Sequence, residues 1–140
     1  MKKKVLLVIC LVTLLAVPLY GQAFNSANLK GNIPFEFMIG NATLPAGQYI
    51  IHKSNSAEHL MISTTDGRNF SFVQTVGIQR PAGRPEALLV FNRYGNKYFL
   101  KQIWNSWRRS GLEVLTMDAE KQYARTLGPV EVAYVSVRNQ

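Results

Sequence analysis

The sequence predicts a mainly β fold, an antiparallel β-sandwich or small β-barrel with one short C-terminal helix. Three observations carry this. Apolar and polar residues alternate with a period of two over most of the chain after residue 30, the spacing of half-buried strands. Short Gly-, Pro-, Asn- and Asp-containing turns separate the alternating runs, and strands joined by short turns pair antiparallel. No long amphipathic helical pattern precedes residue 118, which disfavours a βαβ architecture.

The first element is a targeting segment. Met1-Lys2-Lys3-Lys4 is a basic start, and Val5 to Val17 is an apolar run broken only by Thr13. Gly21 and Ala23 place small residues three and one positions before a cut at Phe24. That order of parts is a secretory signal peptide, and the run is too short for a membrane anchor, which needs about 20 apolar residues. Residues 1–23 are therefore expected to be a signal peptide and residues 24–140 a single β-rich domain, exported to the periplasm or secreted. Losing Lys2, Lys3 and Lys4 leaves thirteen basic residues against eight acidic ones, a net charge of +5. Cys10, the only cysteine, leaves with them. The mature domain then has no disulfide, thiolate metal site or Cys nucleophile to draw on, and its hydrophobic core must hold it.

In "GNIPFEFMIG" the residues Ile33, Phe35, Phe37 and Ile39 share one parity, and Pro34, lacking an N–H, puts this strand at an edge or at its own start. "GNATLPAG", residues 40–47, reads as a loop. "QYIIHKS" and "EHLMIST" are the next strands, and Asp66-Gly67 marks a tight turn. "FSFVQTVGIQ" alternates again, with Phe70, Phe72, Val76 and Ile78 on one face and Ser71, Thr75 and Gln79 on the other. "RPAGRPE" is a loop within the domain.

Gly95-Asn96 sits between two strand-like runs, the mark of a two-residue hairpin. Counting outward pairs Tyr94 with Lys97, Arg93 with Tyr98, Phe91 with Leu100, Leu89 with Gln102 and Ala87 with Trp104. One face then carries Leu89, Phe91, Tyr98, Leu100 and Trp104 toward the core, with an Arg93–Tyr98 contact at the rim. "GLEVLTM" is another short strand. "DAEKQYARTLGP" reads as a helix with Asp118 as its cap, an apolar stripe of Ala119, Tyr123 and Leu127, and a stop at Gly128-Pro129. "VEVAYVSVR" is the last strand.

Folding accounts for most of the aromatic and basic residues between Arg93 and Gly111. What remains is Trp107-Arg108-Arg109, a tryptophan beside two arginines, able to stack on a flat ring or clamp an anion. Tyr94 and Lys97 at the hairpin tip form a second candidate patch. The same residue types also serve plain structural ends: Trp107 as a plug at the end of the core, and the arginines as solvated charges.

No catalytic constellation is present: there is no G-x-S-x-G, P-loop or H-E-x-x-H. His52 and His59, on successive strands, are the weak candidates for a metal, with no sequence-local third ligand. Glu36, Glu58, Asp66, Glu86 and Glu113 fall mostly at solvent-facing parity or in turns, so no carboxylate pair stands out for hydrolysis. The basic residues are spread singly, which disfavours nucleic acid as a partner. No cofactor is expected.

The ordered stretches "IPFEFMIGNATLPAGQYII", "LMISTTDG", "LVFNRYGNKYFLKQIW" and "EVLTMDAEKQYAR" resemble a family of uncharacterised small exported bacterial β-rich proteins. The resemblance spans most of residues 24–140. It implies a β-rich exported domain and carries no activity, ligand or catalytic residue. "NSWRRSG" and the ending "VEVAYVSVRNQ" depart from the pattern. The expected function is a non-enzymatic exported domain, binding or structural, with an envelope glycan, an anionic lipid surface or another protein as partner. The alternatives are a small lipocalin-like barrel around an apolar ligand and, below it, an enzyme of unrecognised type.

Overall fold

The computed structural model describes residues 28–53, 58–80, 86–105 and 110–140. Among them the chain forms one sheet of eleven strands and a single helix. The strands are β1 (Leu29–Ile33), β2 (Phe37–Ile39), β3 (Ala42–Leu44), β4 (Gly47–Lys53), β5 (His59–Thr64), β6 (Phe70–Gln79), β7 (Leu88–Tyr94), β8 (Lys97–Trp104), β9 (Ser110–Val114), β10 (Glu131–Ser136) and β11 (Arg138–Asn139). The helix, α1, is Asp118–Leu127 and lies between β9 and β10.

The hydrogen-bonded order is β10-β7-β8-β9-β6-β5-β4-β1-β11. Two stretches fold this sheet into facing halves. Phe70 to Gln74 of β6 pair with β5, while Thr75 to Gln79 pair with β9. At the C-terminus β10 pairs with β7 and β11 with β1, and only Val137 separates them. Strands that change partners midway make the corners of a folded sheet. The sheet is mainly β with one C-terminal helix, as expected, and it is not closed into a barrel.

Local chemistry explains where the strands break. Pro34 ends β1 after Ile33, so the run read as one strand becomes β1 and β2, and β1 lies between β4 and β11. The segment expected as a loop contains β3, which pairs back on β2 around Gly40 at φ 58°, a conformation open to glycine. This small hairpin sets Phe37, Ile39 and Leu44 into the core. Between the halves pack Ile33, Tyr49, Ile51, Leu60, Ile62, Leu89, Phe91 and Leu100, each at most 2 % exposed.

The β7–β8 hairpin turns at Gly95 as expected, and Tyr94–Lys97, Arg93–Tyr98 and Phe91–Leu100 are paired. A β-bulge between Val90 and Phe91 then shifts the register, so that Leu89 faces Ile103 and Leu88 faces Trp104. One extra residue on a strand displaces every later pair. Ile103 therefore joins the core cluster, and Trp104 packs over Gly111 of β9 instead. The guanidinium of Arg93 lies 5.5 Å from the Tyr98 ring centre, the contact expected at the rim.

The helix has its expected span but a different anatomy. Met117 is the N-cap and makes no side-chain capping bond, while Asp118 pairs with Lys121 at 3.0 Å. Its buried residue is Glu120, and Leu127 is exposed. The carboxylate of Glu120 accepts hydrogen bonds from the Asn92 amide at 2.7 Å and the Tyr94 hydroxyl at 3.5 Å. Tyr123 meets Phe99 at 5.5 Å between ring centres.

Two phenols tie stability to alkaline pH. Burial, then the charge of Asp66, raises the pKa of Tyr49, whose hydroxyl donates to the Pro45 carbonyl at 2.6 Å. Burial, then Glu120, raises that of Tyr94. Unfolded phenols ionise near 10.0, so above that pH the native state holds more protons than the unfolded one. The stabilisation is complete below pH 10 and is lost as pH rises through the raised native values. Urea midpoints are expected to fall over that range, and Tyr49→Phe and Tyr94→Phe each to flatten the fall. A slope unchanged from the parent's in both variants would assign it to other groups.

Candidate functional site

The two halves of the sheet have unlike outer faces. Over β7 and β8, α1 covers Asn92, Tyr94 and Phe99. Over β1, β4, β5 and the first part of β6, no described element lies on the sheet. The register defines that face. Lys30 faces Ile50, Ile50 faces Ser63 and Ser63 faces Phe70. In the next row His52 faces Met61, and Met61 faces Phe72.

Directly paired residues share a face, so both phenylalanines point outward with these neighbours. Phe70 is 58 % and Phe72 67 % exposed, edge to face with ring centres 6.0 Å apart. Val76, further along β6, is also exposed. Inward, β6 sends Val73 and Thr75. The apolar parity of this strand thus faces out of the core.

Sequence reasoning missed this patch, although a signal for it exists in the Asp66-Gly67 turn. The amide of Thr64 donates to the Asn69 carbonyl at 2.8 Å, which makes Ser63 the partner of Phe70. Counting outward from the turn would have placed Phe70 with a serine. The turn is held by the Asp66 carboxylate, which accepts from the Thr64 hydroxyl and the Arg68 amide, and those bonds lower its pKa.

Charge divides along the same line. Strands β1, β4, β5, β6 and β11 contain Lys30, Lys53 and Arg138 and no Asp or Glu. Glu58 and Asp66 stand in the turns at the ends of β5 and β6. In the other half, acids and bases pair: Lys101 with Glu113 and Arg93 with Glu131, each at 3.3 Å. Val132 and Tyr134 on β10 are also exposed. Their strand begins with the paired Glu131, whereas β6, on which Phe70 and Phe72 lie, and its neighbour β5 hold no acid.

Of the residues singled out in the sequence, Trp107, Arg108 and Arg109 lie outside the described residues. Tyr94 is not an exposed tip residue: it is buried against Phe99 and Glu120 beneath the helix. Lys97 is half-buried opposite it. His52 and His59 share the bare outer face, and His52 Nε2 lies 3.2 Å from the Ser63 hydroxyl. Among the described residues no group of three or more His, Cys, Asp or Glu is placed to hold a metal.

A cavity of about 30 Å³ lies at one end of the core, lined by Leu29, Ile51, Leu60, Ile103 and Leu112 with Asn105 and Ser110 at its polar side. That is far below the several hundred Å³ that ligand pockets span. On the surface, a groove of about 390 Å³ follows β1 and the C-terminal stretch, lined by Lys30, Gly31, Asn32, Gln48, Ser136, Val137 and Arg138. Among the described residues no helix is long and apolar enough to cross a membrane. Comparison with protein-family models, curated proteins and solved structures returns no match.

Proposed function

We propose that the chain is an exported, non-catalytic binding domain that docks on an anionic lipid surface through the bare outer face of β1, β4, β5 and β6. The observation that carries this reading is the pair Phe70 and Phe72, turned to solvent on a face whose strands hold cations and no acids. A contiguous exposed apolar patch marks an interaction site. Phenylalanine offers no hydrogen bond to a sugar, but it enters the acyl boundary readily, and Lys30 and Arg138, three and four strands further along the same half of the sheet, are of the kind drawn to headgroup phosphates. The basic and apolar segment from Met1 to Ala23 supports export and with it an envelope membrane as the target.

The test is flotation with vesicles of phosphatidylglycerol and phosphatidylcholine against vesicles of phosphatidylcholine alone. The protein is expected to float only with the anionic vesicles. The double variant Phe70→Ser/Phe72→Ser is expected to lose at least about tenfold in affinity, since burying one such ring is worth roughly 1.5–3 kcal/mol. Its stability should stay within about 0.5 kcal/mol per site of the parent, as for other surface changes. Equal binding to both vesicles, or an unaffected double variant, would sink the reading. A parent dimer that the double variant abolishes would instead assign the face to a second copy. The mass of protein from the exported fraction checks export: a chain starting at Phe24 supports it, and one retaining Met1 overturns it.

A further inference from the structure

We propose that the groove between β1 and the C-terminal stretch is a binding site for a phosphate-class oxyanion, held between Lys30 and Arg138. The inference deepens the reading of the bare face and rests on it. Lys30 and Arg138 are direct cross-strand partners in the β1–β11 pair. Residues so placed have Cα atoms roughly 5 Å apart and side chains on the same face, and like charges there repel. Neither has an ion-pair partner among the described residues. With no acid in β1, β4, β5, β6 or β11, the strands themselves supply nothing to neutralise them.

The groove gives that repulsion a use. Asn32, Gln48 and Ser136 add uncharged polar groups to its lining beside the two cations. A guanidinium and an ammonium lining one groove favour an anion with more than one charged oxygen. The groove is built into the fold at the place where the C-terminal stretch lies across β1. A Cβ on Gly31 would come within 2.5 Å of Val137 Cγ1 and 3.3 Å of the Ser136 carbonyl, so glycine is what allows this close approach.

The experiment compares melting of the mature domain in inorganic phosphate and in chloride at equal ionic strength. Lys30→Gln and Arg138→Gln relieve the repulsion, so each is expected to melt roughly 2–5 °C above the parent in chloride. Phosphate should raise the parent more than either variant. The rise it gives the variants measures its general stabilising effect as a salt, and Lys30→Arg should restore the parent's response. Variants that melt below the parent in chloride, or that respond to phosphate as the parent does, would overturn the site.

Vesicles containing phosphatidylglycerol then identify the source of the phosphate, with Lys97→Gln on the other half as the control for net charge. If Lys30→Gln weakens vesicle binding several-fold more than Lys97→Gln, the groove holds a lipid headgroup. A phosphate response with vesicle binding indifferent to Lys30 assigns the groove to a soluble phosphate compound. Vesicle binding that depends on Phe70 and Phe72, with no phosphate response, leaves the docking face standing and removes the groove.

Discussion

Phe91→Ala is expected to destabilise the domain by about 3–5 kcal/mol, the cost of emptying a buried aromatic site. Phe91 is fully buried on β7. Its ring meets Phe35 edge-on at 5.1 Å and Phe37 at 5.5 Å. Phe35 stacks on Tyr98 at 3.8 Å, and Phe37 meets Tyr49 at 5.3 Å. Five rings therefore link β8 and β7, through β2, to β4 in the other half. Whole domains are stable by only about 5–15 kcal/mol, and no disulfide is there to take up the loss. The measurement is a urea titration followed by circular dichroism, with Phe72→Ala as the matched control. The same truncation at a ring 67 % exposed should cost no more than about 0.5 kcal/mol. A Phe91→Ala loss below about 1 kcal/mol would mean the site collapses around the gap.

Gly111→Val should be the second most damaging change, at about 2–3 kcal/mol. Gly111 pairs with Trp104 across β9 and β8. A Cβ at Gly111 would fall within 2.7 Å of Trp104 Cζ3 and 2.8 Å of Cδ2. The indole has nowhere to yield: its N–H donates to Gln102 at 3.1 Å, and the Arg80 guanidinium sits 4.5 Å from its ring centre. Valine would have to expel a tryptophan that is now only 7 % exposed. Fluorescence reads this directly, because Trp104 emission should shift to the red. Trp104→Phe, which leaves Trp107 as the remaining tryptophan, separates the two signals. Unchanged emission in Gly111→Val would show that the strand backbone moves and the indole stays.

Much of this fold was legible from short-range chemistry. Period-two alternation marked β4, β5, β6, β7 and β8, and Gly95-Asn96 and Asp66-Gly67 marked their turns. The hairpin register failed where Lys101 of β8 bulges out, without a cross-strand partner in β7, opposite Val90 and Phe91, since composition does not announce a bulge. For α1 the stripe of Ala119, Tyr123 and Leu127 pointed to an apolar contact. Tyr123 makes that contact, with Phe99, but Leu127 stays exposed, and the buried residue is Glu120, because Asn92 and Tyr94 on β7 offer its carboxylate hydrogen bonds. Those partners lie more than twenty residues away, beyond the reach of any helical pattern. The candidate site was less legible still. Tyr94 read as an exposed tip until the helix was laid over it, and Phe70 and Phe72 read as one more apolar strand face.

By itself the sequence determined the β class, the turns, the lack of cysteine after Cys10 and the basic-apolar start, because each follows from neighbouring residues. The tertiary structure settled which side of β6 is inside, a choice that the alternation along β6 by itself leaves open. Alternation says that two faces differ but not which one meets the core, and here pairing with β5 turned Val73 inward and pairing with β9 turned Thr75 inward. It also brought Lys30 opposite Arg138, two cations more than a hundred positions apart. Their meeting depends on a sheet folded round until the C-terminal stretch lies beside its first strand.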